Sequence, residues 1–224
     1  FPLEVSWDGV NWWVQKEDQT VNLVSVANPI KSTVSIVDWE EGKVYPAAGE
    51  DAPITVKVRV VDYDEEDNEG AGSHRIVLQK SGEGPEINIS NPVIITGDGE
   101  AEFTVSSIRI GSVTLEAFVT PVDSAGKPIV GIESVEITSK PKIIFGQAIN
   151  SQNTEIKTID DESVSADGVS KHIVKVTLRD YVGDLIKNRK VTFNPQPANS
   201  KVSVSPLEAE TDDEGIALFE VKGT

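Results

Sequence analysis

The chain has 224 residues, 38% of them hydrophobic, with 37 acidic against 20 basic residues and a formal net charge of −17. That balance repels polyanions, so nucleic acid and anionic membrane surfaces are excluded as natural partners, and the absence of Cys excludes disulfides and thiolate metal sites. No apolar run approaches the roughly 18 residues of a membrane-spanning helix, which argues against direct membrane insertion, whereas the length suits two sandwich-sized domains, each with its own core.

The N-terminal FPLEV lacks the basic start of a signal peptide, and Met is absent altogether, which fits an excised piece or a mature product. Next comes SWDGVNWW, in which Asp8-Gly9 between short alternating runs predicts a hairpin with a two-residue turn. It carries Trp7, Trp12 and Trp13, three of the four tryptophans. Two readings stand: an aromatic platform that stacks on sugar rings, or a hairpin whose indoles pack on a neighbouring domain. Trp12 and Trp13 are adjacent and alternate between faces, so one face cannot hold both.

Period-two alternation, the mark of a half-buried strand, recurs along the rest of the chain, with no sustained helical period. In PITVKVRVVD, Ile54, Val56, Val58 and Val60 share one face and Thr55, Lys57 and Arg59 the other. The following DYDEEDNEG places Asp62, Asp64, Asp67 and Glu69 in one loop with Glu65, Glu66 and Asn68. Calcium takes about six to eight oxygens, and clustered carboxylates can supply several, although the EF-hand spacing is not met; the competing reading is a solvated loop tip. No cofactor is required by any motif.

TGDGEAEFTV and GSVTLEAFV then read as successive strands, and Lys127–Gly146 reads as a bridge between domains, restricted by Pro128 and Pro141. In HIVKVTLRD, Val174, Val176 and Leu178 repeat the earlier pattern against Lys175, Thr177 and Arg179. Both strands run into Asp-Tyr, Asp62-Tyr63 and Asp180-Tyr181, a spacing of 180 − 62 = 118 positions. EAEFTV matches IALFEV with Gly99 against Gly215, a spacing of 215 − 99 = 116. Self-similarity at such a period identifies tandem domains of sandwich size. The expected organisation is a hairpin segment over 1–30, a first Ig-like β-sandwich over 31–140 and a second over 141–224.

VSADGVSKHIVKVTLRDYVGDLIKNRKVTF followed by TDDEGIALFEV resembles the group 1 bacterial immunoglobulin-like domain, found in tandem in surface adhesins such as invasin and intimin. The first copy, AAGEDAPITVKVRVVDYDEEDNEGAGSHRIVL with TGDGEAEF and GSVTLEAFV, is a looser match with an acidic extension in its loop. The resemblance implies an all-β tandem Ig-like architecture and a structural spacer without catalytic residues.

In the first copy the strand after Phe103 leads through Gly111 to a further strand over Val113, Leu115, Ala117 and Val119, whereas the second copy has no counterpart before Thr224. The second sandwich is therefore expected to lack its last strand, with the core face of Val174, Val176, Phe219 and Val221 partly uncovered, and the natural polypeptide is expected to continue. PLEVSW, like the closing strand TLEAFV, reads as the end of a preceding unit.

His74 and His172, the only histidines, fall in no metal-ligand spacing and are expected on solvent-facing positions beside Arg75 and Lys171. No GxSxG elbow and no phosphate-binding glycine loop occurs. The expectation is a non-catalytic spacer or stalk of a bacterial cell-surface or secreted protein, of adhesin or S-layer type, located outside the cell. Its partners would be neighbouring domains of the same polypeptide, other surface proteins or glycans. The alternative is a carbohydrate-binding or accessory module of an extracellular polysaccharide-degrading enzyme.

Overall fold

The computed structural model describes residues 4–7, 11–14, 24–63, 73–159, 163–195 and 201–223, the first two ranges as backbone only. It is all-β, and among the described residues the only helical element is the 3-10 turn Gly49–Asp51. β1 (Glu4–Trp7) and β2 (Asn11–Val14) pair antiparallel as a two-stranded sheet of their own, Ser6 opposite Trp12.

The first sandwich has two sheets. One orders β3 (Thr33–Ile36), β5 (Ile54–Arg59), β9 (Glu100–Ser106) and β7 (Asn88–Ser90) as β3-β5-β9-β7. The other contains β4 (Val44–Pro46), β6 (His74–Ser81), β8 (Val93–Thr96), β10 (Gly111–Pro121), β11 (Val135–Glu136) and β12 (Lys142–Gly146). Its order is β4-β12-β10-β6-β8, with β11 also on β10. The pairing of β4 with β12 is parallel. The alternation read from the sequence is what closes this core: Val56, Val58, Phe103, Ile76, Leu78, Leu115, Ala117 and Val119 are all at most 1% exposed. Burial at about 25 cal/mol per Å² of apolar surface makes this inward set the main source of the domain's stability.

The second sandwich repeats the first sheet as β13 (Glu155–Thr158), β14 (His172–Thr177), β18 (Ile216–Gly223) and β16 (Val202–Ser205), in the order β13-β14-β18-β16. Among the described residues, the pair β15 (Lys190–Thr192) and β17 (Glu208–Glu210) faces it. The strand registers reproduce the sequence spacings. Val56 opposes Phe103 and Val174 opposes Phe219. Ile76 opposes Ile94 and Val191 opposes Ala209, at 191 − 76 = 115 and 209 − 94 = 115 positions. Differences in length between the copies therefore fall in the turns, because a one-residue slip inside a strand would turn its core side chains outward.

Three sequence expectations change. Lys127–Gly146 does not bridge the domains: Val122 bridges Pro128, β11 pairs with β10, and β12 lies between β10 and β4 with Ile143 and Phe145 in the core. β10 needed a partner for its second edge, and the β-branched residues of this segment provide it. The first sandwich also begins earlier than residue 31, since Ala27 is fully buried in its core and bridges Asp62. The uncovered face of the second sandwich is smaller than expected: Phe219 is 0% exposed and Val176 5%. The Phe193 ring packs against Phe219 at 5.4 Å and an angle of 51°, so only Val174 and Val221 remain partly open.

The junction as candidate functional site

Each sandwich opens with the same small device, which the sequence reading missed. Asn28 Oδ1 accepts hydrogen bonds from the N–H groups of Ile30 and Lys31, and Asn150 Oδ1 accepts them from Gln152 and Asn153. Four residues after each asparagine a hydroxyl accepts from the strand that ends in Asp-Tyr: Val61 N–H to Ser32 Oγ at 3.0 Å, Arg179 N–H to Thr154 Oγ1 at 3.3 Å. Asn side chains mimic a backbone turn at low cost. The signal was Asn-x-x-x-Ser/Thr, recurring at 150 − 28 = 122 positions.

A second recurrent device is Asp-x-x-Gly-x. At Asp123, Asp180 and Asp212 one carboxylate oxygen accepts from the N–H groups two and four residues on. In each case the glycine N–H donates to the aspartate carbonyl. Gly126, Gly183 and Gly215 all have positive φ there, which an L side chain resists.

The Asp180 turn lies at the junction of the two sandwiches. β12 ends at Gly146, whose carbonyl accepts from Ala47 N–H, and Ile149 already bridges Asp180 in the second sandwich. A Cβ on Gly146 would stand 2.5 Å from Cγ1 of the exposed Val44, so a larger residue there would have to push that side chain aside. Gln147 Nε2 donates to Asp180 Oδ2 at 3.2 Å, and Asn153 Nδ2 donates to the Asp180 carbonyl at 2.8 Å. From the other side, the Tyr181 hydroxyl donates to Oδ2 of Asp51 at 2.6 Å. That bond, with lesser contributions from burial and from the Asp51 charge, holds the Tyr181 phenol above its ordinary pKa.

The same pole of the first sandwich carries Asn28, Asp62 and Tyr63, with Tyr63 52% exposed. Asp62 is buried. It is 1% exposed, with Oδ1 3.4 Å from Nε2 of His74, itself 1% exposed. His74 shares the inward parity of Ile76 and Leu78 on β6, and His172 shares that of Val174 and Val176, so neither is the solvent-facing residue expected from its charged neighbour. His172 is half-buried.

Asp64, Asp67 and Glu69, the other residues of the calcium reading, lie outside the described residues. Trp7, Trp12 and Trp13 are described only by strand register, Trp7 opposite Asn11, Trp12 opposite Ser6 and Trp13 opposite Val5. Among the described residues no group of three or more His, Asp or Glu side chains could hold a metal ion.

No family model matches the chain, and no curated protein matches it. Solved structures do. The chain is similar to the D0-D1 domain of intimin at 19% identity, covering 90% of this chain and 86% of that one, with a TM-score of 0.34. It is similar to FdeC, an Escherichia coli adhesin, at 15% identity over 88% of this chain and 57% of that one, with a TM-score of 0.44. It is also similar to domains 5-6 of the S-layer protein SbsC, at 18% identity over 89% and 85%, with a TM-score of 0.28.

Proposed function

We propose that the chain is a non-catalytic spacer of a bacterial cell-surface or secreted protein, in which tandem Ig-like sandwiches set the distance and angle between neighbouring domains of the same polypeptide. The observation that carries this reading is the junction. Two residues, Gln147 and Ala148, separate the last strand of the first sandwich from the first bridge of the second. Side chains clasp it on both sides, through Gln147 to Asp180 and Tyr181 to Asp51. A linker this short, hydrogen-bonded at both ends, leaves few backbone dihedrals free to absorb bending. The pole that makes these contacts in the second sandwich recurs in the first as Asn28, Asp62 and Tyr63, which suits a unit built to be joined in series. The resemblance to group 1 bacterial Ig-like domains is the source of the surface location, and the acidic, Cys-free composition accords with it.

Residual dipolar couplings measured on the whole chain test the reading. A spacer requires one alignment tensor to fit both sandwiches. Two tensors of unequal magnitude, the sign of independent tumbling, would overturn it.

A further inference from the structure

The shared register of the two sandwiches brings out a difference at one sheet edge. β8 ends the order β4-β12-β10-β6-β8 and has no strand beyond it among the described residues. Leu78 N–H donates to the Pro92 carbonyl, Val77 opposes Val93 and Arg75 opposes Ile95. In an antiparallel ladder successive residues turn their backbone groups to opposite sides. Pro92, Ile94 and Thr96 therefore address β6, and the missing N–H of Pro92 is no defect of the free edge. Val93 and Ile95 turn N–H and C=O along that edge, and their side chains, 41% and 54% exposed, stand on the outer face. Edge strands are ordinarily blunted by charge, by proline or by a covering segment. In the first sandwich Ser139 Oγ donates to the Val34 carbonyl of β3, Pro46 lies within β4, and β7 is Asn-Ile-Ser. In the second sandwich the positions equivalent to Val93 and Ile95 are Glu208 and Glu210, since 208 − 93 = 115 and 210 − 95 = 115 match the offset of Ala209 from Ile94. Glu208 pairs with Lys190, and Glu210 is exposed. β8 has no such charged guard: residues 87–97 carry no charge at all.

We propose that β8 pairs antiparallel with β8 of a second copy of the chain, about a two-fold axis at Ile94, so that two copies associate side by side. Pairing centred on Ile94 sets Val93 opposite Ile95 of the second copy, and the reverse. The residues whose backbone groups are turned to the free edge then exchange both N–H to C=O bonds in each pair. The same register brings their exposed apolar side chains together on one face, continuing the row of Phe118, Val77 and Val93 across the joined sheets. Charge selects a second copy at this edge and not at its equivalent. A chain of net charge −17 repels its own copies where acids meet, whereas here the uncharged residues 87–97 meet themselves. Self-pairing of β17 would instead oppose Glu208 to Glu210 of the second copy, a juxtaposition of like charges. The contact is isologous and closes at two copies. One short strand buries little surface, which places the pair in the transient class below about 1,200 Å².

Sedimentation velocity of the unmodified chain, carried to millimolar concentration, should show mass rising toward two copies and not beyond. Ile95→Lys puts a charge on an exposed site and should abolish that rise while both sandwiches melt as before; Val93→Lys should do the same. Because the protein has no Cys, engineered disulfides then read the register. Val93→Cys and Ile95→Cys are made as separate single variants, mixed and mildly oxidised. Opposed Cα atoms of a hydrogen-bonded pair lie about 5.5 Å apart, within disulfide range, whereas two Val93 or two Ile95 positions are out of reach in this register. The mixed dimer, identified by its mass, should exceed its statistical share over both homodimers. A chain monomeric at every accessible concentration, mass growth that passes two copies or survives Ile95→Lys, or homodimers formed as readily as the mixed dimer would each overturn the proposal.

Discussion

Tyr181 and Asp51 stand 130 positions apart and meet in a 2.6 Å hydrogen bond that ties the second sandwich to the 3-10 turn of the first. In the first sandwich the equivalent Tyr63 is half exposed. Tyr181→Phe removes the donor while keeping the ring, so the two sandwiches should acquire separate alignment tensors with each fold intact, as chemical shifts away from the junction would confirm.

The same bond sets a pH limit at the alkaline end. The Tyr181 pKa is raised in the folded chain, so the folded state keeps a proton that the unfolded state has begun to lose. The contribution to stability is therefore complete below the ordinary tyrosine value of about 10 and is lost as pH rises through the raised value. Tyrosinate absorbance should show a late-titrating component that shrinks in Tyr181→Phe. The residue of that component should belong to Tyr45, which burial and the nearby Asp38 and Glu40 also hold high.

At the acid end the turns matter. Asp98 is held below the usual carboxylate range, first by the Thr96 hydroxyl and then by Glu100 N–H. Asp167 is held low by the Ser170 and Val169 N–H groups. Lowered pKa values give stability that is present above the unfolded carboxylate pKa and disappears as pH falls through the folded one. Asp98→Asn and Asp167→Asn should each reduce the urea midpoint at pH 7, and the gap from the parent chain should narrow below pH about 3.

Core and surface faces should separate under one substitution type. Val58→Asp and Val176→Asp place a carboxylate at sites 1% and 5% exposed. An uncompensated buried charge costs on the order of 3 kcal/mol or more. Lys57→Asp and Lys175→Asp alter outward positions and should shift the melting temperature far less, even though Lys57 loses its 2.8 Å partner Glu102. Equal shifts in the two pairs would mean that the register is wrong.

Thr211 offers a sharper polar test. It is 1% exposed, donates through Oγ1 to the Ile186 carbonyl at 2.7 Å and accepts from Arg189 N–H at 3.0 Å. Thr211→Val keeps the volume but leaves both backbone groups without that partner, a loss of about 1–3 kcal/mol. Hydrogen exchange at Arg189 should accelerate accordingly, whereas Thr96→Val in the first sandwich removes the hydroxyl's bonds with Asp98.

The strands of the core were legible because alternation is a direct image of the pleat: Val56 and Val58, or Val174 and Val176, carry their facing in the sequence itself. The tandem organisation was equally legible, since Asp62-Tyr63 and Asp180-Tyr181 hold the same places in both copies. The boundary was not. Pro128 and Pro141 suggested a linker, but both prolines fall outside β11 and β12, and nothing local reveals that β10 still needed a neighbour. His74 shows a similar limit. Its charged neighbour Arg75 points to solvent, but His74 shares the parity of Ile76 and so faces the core. The junction was the least legible part, because Tyr181 and Asp51 are brought together by the fold and share no spacing that a pattern could report.

The parallel pairing of β4 with β12 gives the first sandwich a mechanical polarity. Val44–Pro46 is the second strand of this domain, after β3, and Ile144–Gly146 lies where the chain leaves for the next. Tension applied along a series of such units would pull these neighbouring strands in opposite senses along their shared ladder. Their hydrogen bonds would then be loaded together in shear, rather than opened one after another like a zip, and the backbone carbonyl of Gly146 would sit at the point where that load enters the second sandwich.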